Sequence, residues 1–226
     1  IYTYDKDSKE WSEHIRFTCQ QPSFTPLAAT DKGWLVTGSK FSPSGELVEY
    51  NDTNALYLYN PETREFSEKL YQDPNYDVGG FTGTCRNASG GAGVDYDTRK
   101  LLYVTYEAQE PVKIYFDDEI AEIYNGLDAV FPNEWVSVVT RDKDRNKMVI
   151  RVSSPSNPGD YYFYNREQSQ LIPLYSYAPW IDRKIMAETI PVKYTARDGL
   201  VIPAYLTLSK KKTDKNYMIV LPHGGP

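Results

Sequence analysis

Short stretches of alternating apolar and polar residues, separated by polar turns, run along most of the chain. Alternation with a period of two is typical of a half-buried β-strand, whereas a helix repeats its apolar positions every three or four residues. Clusters of turn-forming residues such as Ser42-Pro43-Ser44-Gly45 and Asp142-Lys143-Asp144-Arg145 interrupt the pattern at short intervals. The pattern therefore predicts a mainly β protein.

One strand–turn–strand pattern recurs along the chain. Residues 1–13 align without a gap with residues 56–68, a spacing of 55 residues (Ile1 to Leu56). Residues 162–171 repeat the pattern, and residues 112–118 are a weaker copy. Each copy has an aromatic-rich strand, a polar turn and a second strand with a large apolar residue. Self-similarity at a fixed period is the signature of a repeat architecture.

The strand-like runs that precede each copy complete a unit of about four antiparallel strands in roughly 50 residues, which is the plan of a β-propeller blade. The first copy has only its last two strands. The sequence therefore predicts a partial β-propeller of about three and a half four-stranded blades, near residues 1–20, 24–72, 79–127 and 130–176. The alternative is a β-sandwich with chance similarity between hairpins. An incomplete ring leaves open sheet edges, which tend to pair with other chains.

Composition narrows the class of protein. The 226 residues suffice to bury a real core, and the 20 tyrosines raise the aromatic fraction to 14%, which favours β-structure. A net charge of −6 and a pI of about 5.1 argue against a nucleic-acid or anionic-membrane partner. No apolar run approaches the roughly 20 residues that span a bilayer.

The cysteines and histidines suggest no cofactor and no metal site. Cys19 and Cys85 are too few for a disulfide framework, and His14 and His223 lie too far apart to complete a ligand cluster. We expect two ordinary thiols, with a single disulfide as the alternative. His14 lies in a polar turn and is predicted to be an exposed residue without a partner.

Two further patterns have ordinary explanations. The glycine-rich residues 79–93 lack the Lys-Ser/Thr ending of a phosphate-binding loop, so we interpret them as turns between blades. Asn51-Asp52-Thr53 and Asn87-Ala88-Ser89 match the glycosylation sequon, but such triplets arise often by chance. The chain has no initiator Met and no signal peptide, which indicates an internal fragment and leaves cytoplasmic and periplasmic or secreted locations open.

The repeat ends near residue 177, and a different pattern follows. Residues 185–191 are predicted to form a linker, in which Pro191 disfavours a helix. Alternating runs at 192–196 and 201–208 flank Asp198-Gly199, a strong hairpin signal. An apolar run, Tyr217 to Leu221, predicts a buried strand. We therefore expect a partial propeller over 1–177, then a linker and the opening strands of an α/β-hydrolase domain over 178–226.

The apolar run ends in His223-Gly224-Gly225-Pro226. Glycines lack a Cβ, so the backbone can turn sharply at this point and direct an amide N–H at a reacting carbonyl. Bare backbone at the C-terminal end of a strand is how α/β-hydrolases form half of an oxyanion hole. The sequence therefore places its candidate chemistry in this turn.

Residues 194–206 together with residues 221–226 resemble the hydrolase entry of the prolyl oligopeptidase family of serine peptidases. The acylaminoacyl-peptidase and dipeptidyl-peptidase-like branches are nearest. The resemblance implies a β-propeller joined to an α/β-hydrolase, which cleaves short peptides with a Ser-Asp-His triad. On the family pattern Gly225 supplies the oxyanion-hole amide, Gly224 lets the turn form, and His223 supports the loop without being the catalytic base.

The resemblance also implies what lies elsewhere. The chain contains no Gly-x-Ser-x-Gly sequence, so we expect the triad beyond Pro226 and no activity from these residues alone. The propeller would restrict access to short peptide substrates. Asp117-Asp118-Glu119 is the most acidic cluster available to bind a substrate's N-terminus, but a solvated turn is the simpler explanation of these residues. The full-length protein could form a homo-oligomer.

Two other functions remain open from the sequence. The first is a non-catalytic propeller that serves as an interaction module, with an inactive hydrolase-like end. The second is an esterase-type α/β-hydrolase with a β-structured lid. A missing serine elbow downstream would favour the first, and a preference for ester over peptide substrates would favour the second.

Overall fold

The computed structural model describes residues 1–18, 21–79, 91–210 and 217–222, and this part of the protein is mainly β. The chain divides into two compact units, Ile1–Gly126 and Leu127–Pro226. The predicted mainly β class is therefore confirmed. The predicted domain division at residue 177 stays a prediction.

The first unit consists of antiparallel hairpins and sheets joined by tight turns. Its strands are β1 (Tyr2–Asp5), β2 (Glu10–Glu13), β3 (Phe24–Thr30), β4 (Gly33–Gly38), β5 (Lys40–Phe41), β6 (Leu47–Glu49), β7 (Ala55–Asn60), β8 (Glu65–Phe66), β9 (Tyr71–Gln72), β10 (Gly91–Val94), β11 (Leu101–Glu107) and β12 (Pro111–Tyr115). Strands β1 and β2 form the N-terminal hairpin, and β5 and β6 form another hairpin. The order β3-β4-β7-β8, with β9 also paired to β7, makes the central sheet, and β10-β11-β12 make a three-stranded sheet.

The central sheet is buried on both faces. Successive residues of a strand point to opposite faces, so Leu35 and Val36 of β4 enter different clusters. Leu35 packs with Leu56, Val78, Val104 and Tyr106, whereas Val36 packs with Phe24, Phe41, Ala55, Tyr57 and Tyr59. Full burial of one large apolar side chain stabilises the fold by about 1.5–3 kcal/mol, so both clusters contribute strongly.

The repeat seen in the sequence has a structural counterpart in its hairpin turns. The pairs Asp5↔Glu10, Asn60↔Glu65 and Asn165↔Gln170 close three hairpins in the same register. In each turn the first side chain accepts hydrogen bonds from backbone N–H groups two or three residues later. The residue four positions later has a positive φ in each case: Lys9, Arg64 and Ser169, at 59°, 59° and 49°.

The second unit contains one four-stranded antiparallel sheet and one separate hairpin. Its strands are β13 (Trp135–Arg141), β14 (Lys147–Ser154), β15 (Asn157–Asn165), β16 (Gln170–Ser176), β17 (Thr189–Thr195) and β18 (Val201–Thr207), with a short 3-10 helix at Arg183–Ile185. Strands β13 to β16 pair in chain order, as predicted for residues 130–176. Val136, Met148, Ile150 and Val152 are buried within this sheet.

The unit predicted over residues 79–127 differs from the expected four strands. Its described part has three strands, and α1 (Asp118–Val130) follows β12. Ile120, Ile123, Tyr124 and Leu127 recur at helical spacing and are buried, so the helix is explained by its apolar stripe. The solvated turn predicted for Asp117-Asp118-Glu119 is therefore wrong, because Asp117 caps a helix whose first two residues are Asp118 and Glu119.

The region after the repeat was predicted in part. Strands β17 and β18 form the expected hairpin, with Gly199 at φ 86° and its N–H bonded to the carbonyl of Ala196. Pro191 lies inside β17, so the linker predicted over 185–191 is too long; proline is tolerated because a two-stranded hairpin consists of edge strands. The strand predicted at residues 217–221 is not formed. Those side chains are 72–92% exposed, and no strand among the described residues pairs with residues 217–221.

Candidate functional site

The residues to which the sequence assigns chemistry lie at the C-terminal turn. His223, Gly224, Gly225 and Pro226 fall outside the described residues, as do Cys19 and Cys85. The predicted oxyanion-hole amide of Gly225 and the supporting roles of His223 and Gly224 therefore stay predictions.

The acidic cluster lies at the start of α1. The side chain of Asp117 is only 12% exposed, and its Oδ1 accepts a hydrogen bond from the N–H of Ile120 at 3.1 Å. Asp117 thus caps the helix, and the Nζ of Lys100 lies 3.9 Å from its other oxygen. Asp118 and Glu119 are exposed in the first turn, where the helix dipole favours negative charge. This arrangement can attract a cation such as a peptide ammonium group.

The helix is held on the three-stranded sheet by aromatic contacts. Tyr124 is 2% exposed and packs against Tyr103 and Tyr115, each with ring centroids 5.8 Å away. The Nζ of Lys113 lies 4.7 Å from the centre of the Tyr124 ring, a cation–π distance. These contacts fix the helix, and with it the direction in which its acidic first turn points.

A polar pocket of about 330 Å³ lies beside the beginning of β15 and the end of β16. Its walls are formed by Pro158, Gly159, Asp160, Ser176, Ala178, Pro179, Ile181 and Arg183. Asp160 accepts a hydrogen bond from the Ser176 hydroxyl at 2.6 Å and forms an ion pair with Arg183. Burial raises the pKa of the Asp160 carboxyl, but the contacts with Ser176 and Arg183 outweigh burial and bring the pKa below its ordinary value.

The polar groups of this pocket have a structural role, because they bond one another. Both Asp160 oxygens are engaged, one with Ser176 and one with Arg183. Asp182 caps the short helix through the N–H of Lys184 at 3.0 Å, which orders the segment that carries Arg183. The ion pair therefore ties residues 178–186 to the four-stranded sheet.

A buried polar network lies at one end of the central sheet. The Nδ2 of Asn51 donates to the carbonyl of Gly38 and to the hydroxyl of Tyr57, both at 2.9 Å. Its Oδ1 accepts from the Nζ of Lys69 at 3.1 Å, and Lys69 also pairs with Glu49 at 2.6 Å. Burial raises the pKa of the Tyr57 hydroxyl. Because these groups bond one another, the network stabilises the sheet.

His14 is a partnered residue, which corrects the prediction that it is exposed and alone. Its Nε2 lies 2.7 Å from the hydroxyl of Tyr59, and its ring contacts Trp34 edge-on with centroids 5.3 Å apart. Burial lowers the pKa of His14, and the charge of Arg64 lowers it further. The partner Tyr59 is 45 residues away in sequence, so local pattern reasoning could not find it.

The described residues contain neither a metal-binding cluster nor a membrane-spanning helix. Among residues 1–18, 21–79, 91–210 and 217–222, no three His, Cys, Asp or Glu side chains come close enough together to hold a metal ion. Within the same ranges, no helix has the length and hydrophobicity to cross a membrane.

The chain is similar to a curated dipeptidyl aminopeptidase and to a curated member of a dipeptidyl peptidase family. The chain is 29% identical over 145 residues to dipeptidyl aminopeptidase BIII of Pseudoxanthomonas mexicana, which covers 61% of this chain and 21% of that protein. It is 26% identical over 248 aligned positions to dipeptidyl peptidase family member 6 of Caenorhabditis elegans, covering 97% of this chain and 30% of that protein. The chain thus spans between 21% and 30% of the length of these relatives. No family model matches it.

Proposed function

We propose, on the premise that this chain is homologous to peptidases of the prolyl oligopeptidase family, that it is part of a serine peptidase acting on short peptides. The observation that carries the proposal is the similarity to a dipeptidyl peptidase over 97% of the chain. The names of both relatives point to removal of dipeptides. We therefore take the N-terminal dipeptide of a short peptide as the group that the complete protein releases.

Two features of the fold support this proposal: the burial of the central sheet on both faces and the four-stranded sheet of the second unit. In a propeller each inner blade is covered on both faces, and the central sheet has an apolar cluster on each face. Strands β13 to β16 form a four-stranded antiparallel meander, the usual form of a blade. We propose that residues 1–177 belong to a β-propeller and that residues 178–226 begin an α/β-hydrolase domain.

The reaction would follow the serine peptidase scheme. A serine contributed by a later part of the protein attacks the peptide carbonyl, a histidine takes its proton, and an acidic residue orients that histidine. The amide N–H of Gly225 would donate a hydrogen bond to the oxyanion of the tetrahedral intermediate. One such donor contributes about 3–4 kcal/mol to transition-state stabilisation. Gly224 would permit the turn, and His223 would support it through hydrogen bonds.

The remaining residues would control which substrates reach the site. We propose that the propeller admits short peptides and that the acidic first turn of α1 binds their N-terminal ammonium group. Asp118 and Glu119 suit this role because both are exposed at the end of a helix that aromatic contacts hold in place. A carboxylate beside an ammonium ion gains charge-assisted hydrogen bonds.

The test uses the complete protein and dipeptidyl nitroanilides. We expect hydrolysis that a serine-directed phosphonate abolishes, and no hydrolysis of the same substrates carrying a blocked N-terminus. Gly225→Pro removes the amide donor and should lower kcat by about 10²–10³-fold with a smaller change in KM. Pro226→Ala, which keeps that donor, is the matched control.

Two outcomes would contradict the peptidase proposal, and a third would contradict only the role of Gly225. Hydrolysis of esters but not of peptides would indicate an esterase. Absence of hydrolysis, with the protein folded, would indicate a non-catalytic interaction module. Equal activity of Gly225→Pro and the unmodified protein would remove Gly225 from the mechanism while leaving the peptidase assignment intact.

A further inference from the structure

The turn between β17 and β18 holds a carboxyl group close to a backbone nitrogen. Asp198 and Gly199 are both exposed in this turn. The N–H of Leu200 donates to the Oδ1 of Asp198 at 3.1 Å, which folds the carboxyl group back along its own main chain. The nitrogen of Gly199 belongs to the ring of atoms that this hydrogen bond closes. The side-chain carboxyl of Asp198 is therefore held near the nitrogen of the next residue.

These two groups can react with each other. The Gly199 nitrogen bonds to the Cγ of Asp198, its proton and the carboxyl hydroxyl leave as water, and a five-membered succinimide ring forms. Water then adds to one of the two ring carbonyls and breaks its bond to the nitrogen. Addition at Cγ restores aspartate, whereas addition at the main-chain carbonyl gives isoaspartate, in which the main chain runs through Cγ. The reacting groups are neighbours in the chain, so the reaction needs no partner other than water.

A glycine in the second position favours closure of the ring. Glycine has no Cβ to crowd its own nitrogen during the attack. A Cβ built on Gly199 would meet no atom within 4 Å, so the turn also leaves space for the ring. The N–H of Leu200 points at the carboxyl oxygen and stabilises the negative charge that develops there when the nitrogen attacks. The local structure thus supplies both access and activation.

Other turns have the same side-chain geometry, but the residue that follows hinders ring closure. In each of them an Asp or Asn side chain accepts a hydrogen bond from the N–H two residues later: Asp5, Asn60, Asp73, Asp95, Asn157 and Asp182. Proline follows Asn60, Asp73 and Asn157 and has no N–H to lose. Lys6, Tyr96 and Arg183 follow the other three and crowd the nitrogen with a side chain. Of these acceptors in the described ranges, Asp198 is the one that a glycine follows.

The sequence contains a second candidate, Asn125-Gly126, which the fold protects. An Asn-Gly pair reacts by the same route with loss of ammonia, and in an unfolded chain it reacts faster than Asp-Gly. Here the pair lies inside α1, where the N–H of Gly126 bonds to the carbonyl of Glu122. The reaction requires local opening of the helix, which its buried apolar stripe opposes. In the β17–β18 turn, by contrast, one hydrogen bond holds the nitrogen of Gly199, to the carbonyl of Ala196 at 3.0 Å.

We propose that Asp198-Gly199 is a modification site at which the protein forms isoaspartate spontaneously as it ages. The product adds one methylene to the main chain of the turn and leaves the former main-chain carboxyl as a side group. The hydrogen bond from Gly199 to Ala196 spans this turn, so the longer chain weakens the closure of the β17–β18 hairpin. The reaction involves only this residue pair and water, so the inference is independent of the proposed peptidase function.

Storage of the complete, folded protein in neutral buffer tests the proposal. Peptide mapping with electron-transfer fragmentation measures isoaspartate at each position, and water labelled with heavy oxygen marks every molecule that has passed through the ring. We expect more isoaspartate at Asp198 than at Asn125. We also expect about tenfold less or lower still at Asp5, Asp95 and Asp182, because glycine alone leaves the attacking nitrogen uncrowded. Absence of isoaspartate at Asp198, or a larger amount at Asn125, would overturn the proposal.

An unfolded control and two variants complete the test. In urea, where α1 is lost, Asn125 should react faster than Asp198, and an unchanged order would contradict the role of the fold. Asp198→Glu keeps the carboxyl group but would need a six-membered ring, so the signal at this position should be lost. Gly199→Ala crowds the nitrogen and should slow the reaction by about tenfold, and an unchanged rate would overturn the proposal. None of these readouts uses peptidase activity, so failure of this proposal and failure of the peptidase proposal are distinguishable.

Discussion

The central sheet and the β17–β18 hairpin are made from similar residues but have opposite environments. Tyr57 in the central sheet is 0% exposed, whereas Tyr194 and Tyr205 in the hairpin are 54% and 62% exposed. Both elements are antiparallel with an alternating pattern. Alternation therefore determines which side chains share a face, and the presence of a covering layer determines whether that face is buried.

The hairpin nevertheless has one face suited to burial. By its register, one face carries Ile190, Val192, Tyr194, Ile202, Ala204 and Leu206. A two-stranded hairpin alone is marginally stable, since it cannot bury both faces of its strands. The contrast with the central sheet predicts that equivalent substitutions will have unequal costs in the two regions.

Truncation of a tyrosine should show the largest difference. Tyr57→Ala removes a fully buried ring and the partner of Asn51, so we expect a loss of about 3–5 kcal/mol in the free energy of unfolding. Tyr194→Ala, at a half-exposed position, should cost less than about 1 kcal/mol. Urea denaturation followed by circular dichroism measures both. Equal costs would contradict the difference in burial.

A glycine in each region gives the next comparison. Gly33 and Gly199 both have positive φ, at 121° and 86°. A Cβ on Gly33 would lie 2.7 Å from the carbonyl oxygen of Tyr59, whereas a Cβ on Gly199 would meet no atom within 4 Å. We expect Gly33→Ala to cost about 3 kcal/mol and Gly199→Ala about 1 kcal/mol, the latter from backbone strain alone. Thermal unfolding measures the loss of stability of both variants. A larger loss for Gly199→Ala than for Gly33→Ala would contradict this account.

The Asp160–Arg183 ion pair anchors the segment before the hairpin, and substitution of Asp160 measures its contribution to stability. Asp160→Asn should cost about 1 kcal/mol at neutral pH, since Arg183 is partly solvated. The folded-state pKa of Asp160 lies below its unfolded value of about 3.9, so the stabilisation is complete above that pH and is lost as the pH falls through the folded pKa. The melting temperatures of variant and unmodified protein should therefore converge below about pH 4.

The control for that experiment is Asp198→Asn in the β17–β18 turn. The change in melting temperature caused by Asp198→Asn should not depend on Arg183. The effects of Asp198→Asn and Arg183→Ala should therefore add in the double variant. Asp160→Asn combined with Arg183→Ala should be non-additive. Additivity in both pairs would show that the ion pair contributes nothing measurable.

The smallest effect should come from one hydroxyl. Tyr59→Phe removes the partner of the His14 Nε2 and should cost about 1 kcal/mol. Tyr194→Phe, at an exposed position, should be neutral. Equilibrium denaturation of both variants at pH 8, where His14 is neutral, makes the comparison. A cost for Tyr194→Phe as large as that for Tyr59→Phe would contradict the assigned role of His14.

The sequence predicted the repeat well because its signal is repeated within the chain. Asp5, Asn60 and Asn165 occupy the same turn position, and each accepts backbone hydrogen bonds in the structure. The helix α1 could also have been predicted, since Ile120, Ile123, Tyr124 and Leu127 have helical spacing. The expectation of a fourth strand from the repeat obscured that local pattern.

Other features depend on contacts that no local pattern specifies. His14 was interpreted as exposed because its own neighbours are polar, yet Tyr59 and Trp34 pack against it from a different sheet. The run at residues 217–221 is apolar enough for a buried strand, but a strand also needs a paired neighbour. The proposed oxyanion turn rests on residues 223–226 and on the family resemblance alone.

The buried position of Asn51 has a practical consequence for producing the protein. If the Asn51-Asp52-Thr53 triplet were recognised in a eukaryotic secretory pathway, the sugar would be transferred before folding is complete. The Nδ2 that would carry the sugar donates instead to Gly38 and Tyr57 inside the fold. Modified molecules could not close the central sheet, so secreted material would separate into a folded, sugar-free fraction and a glycosylated, misfolded one. Bacterial expression avoids this loss of yield.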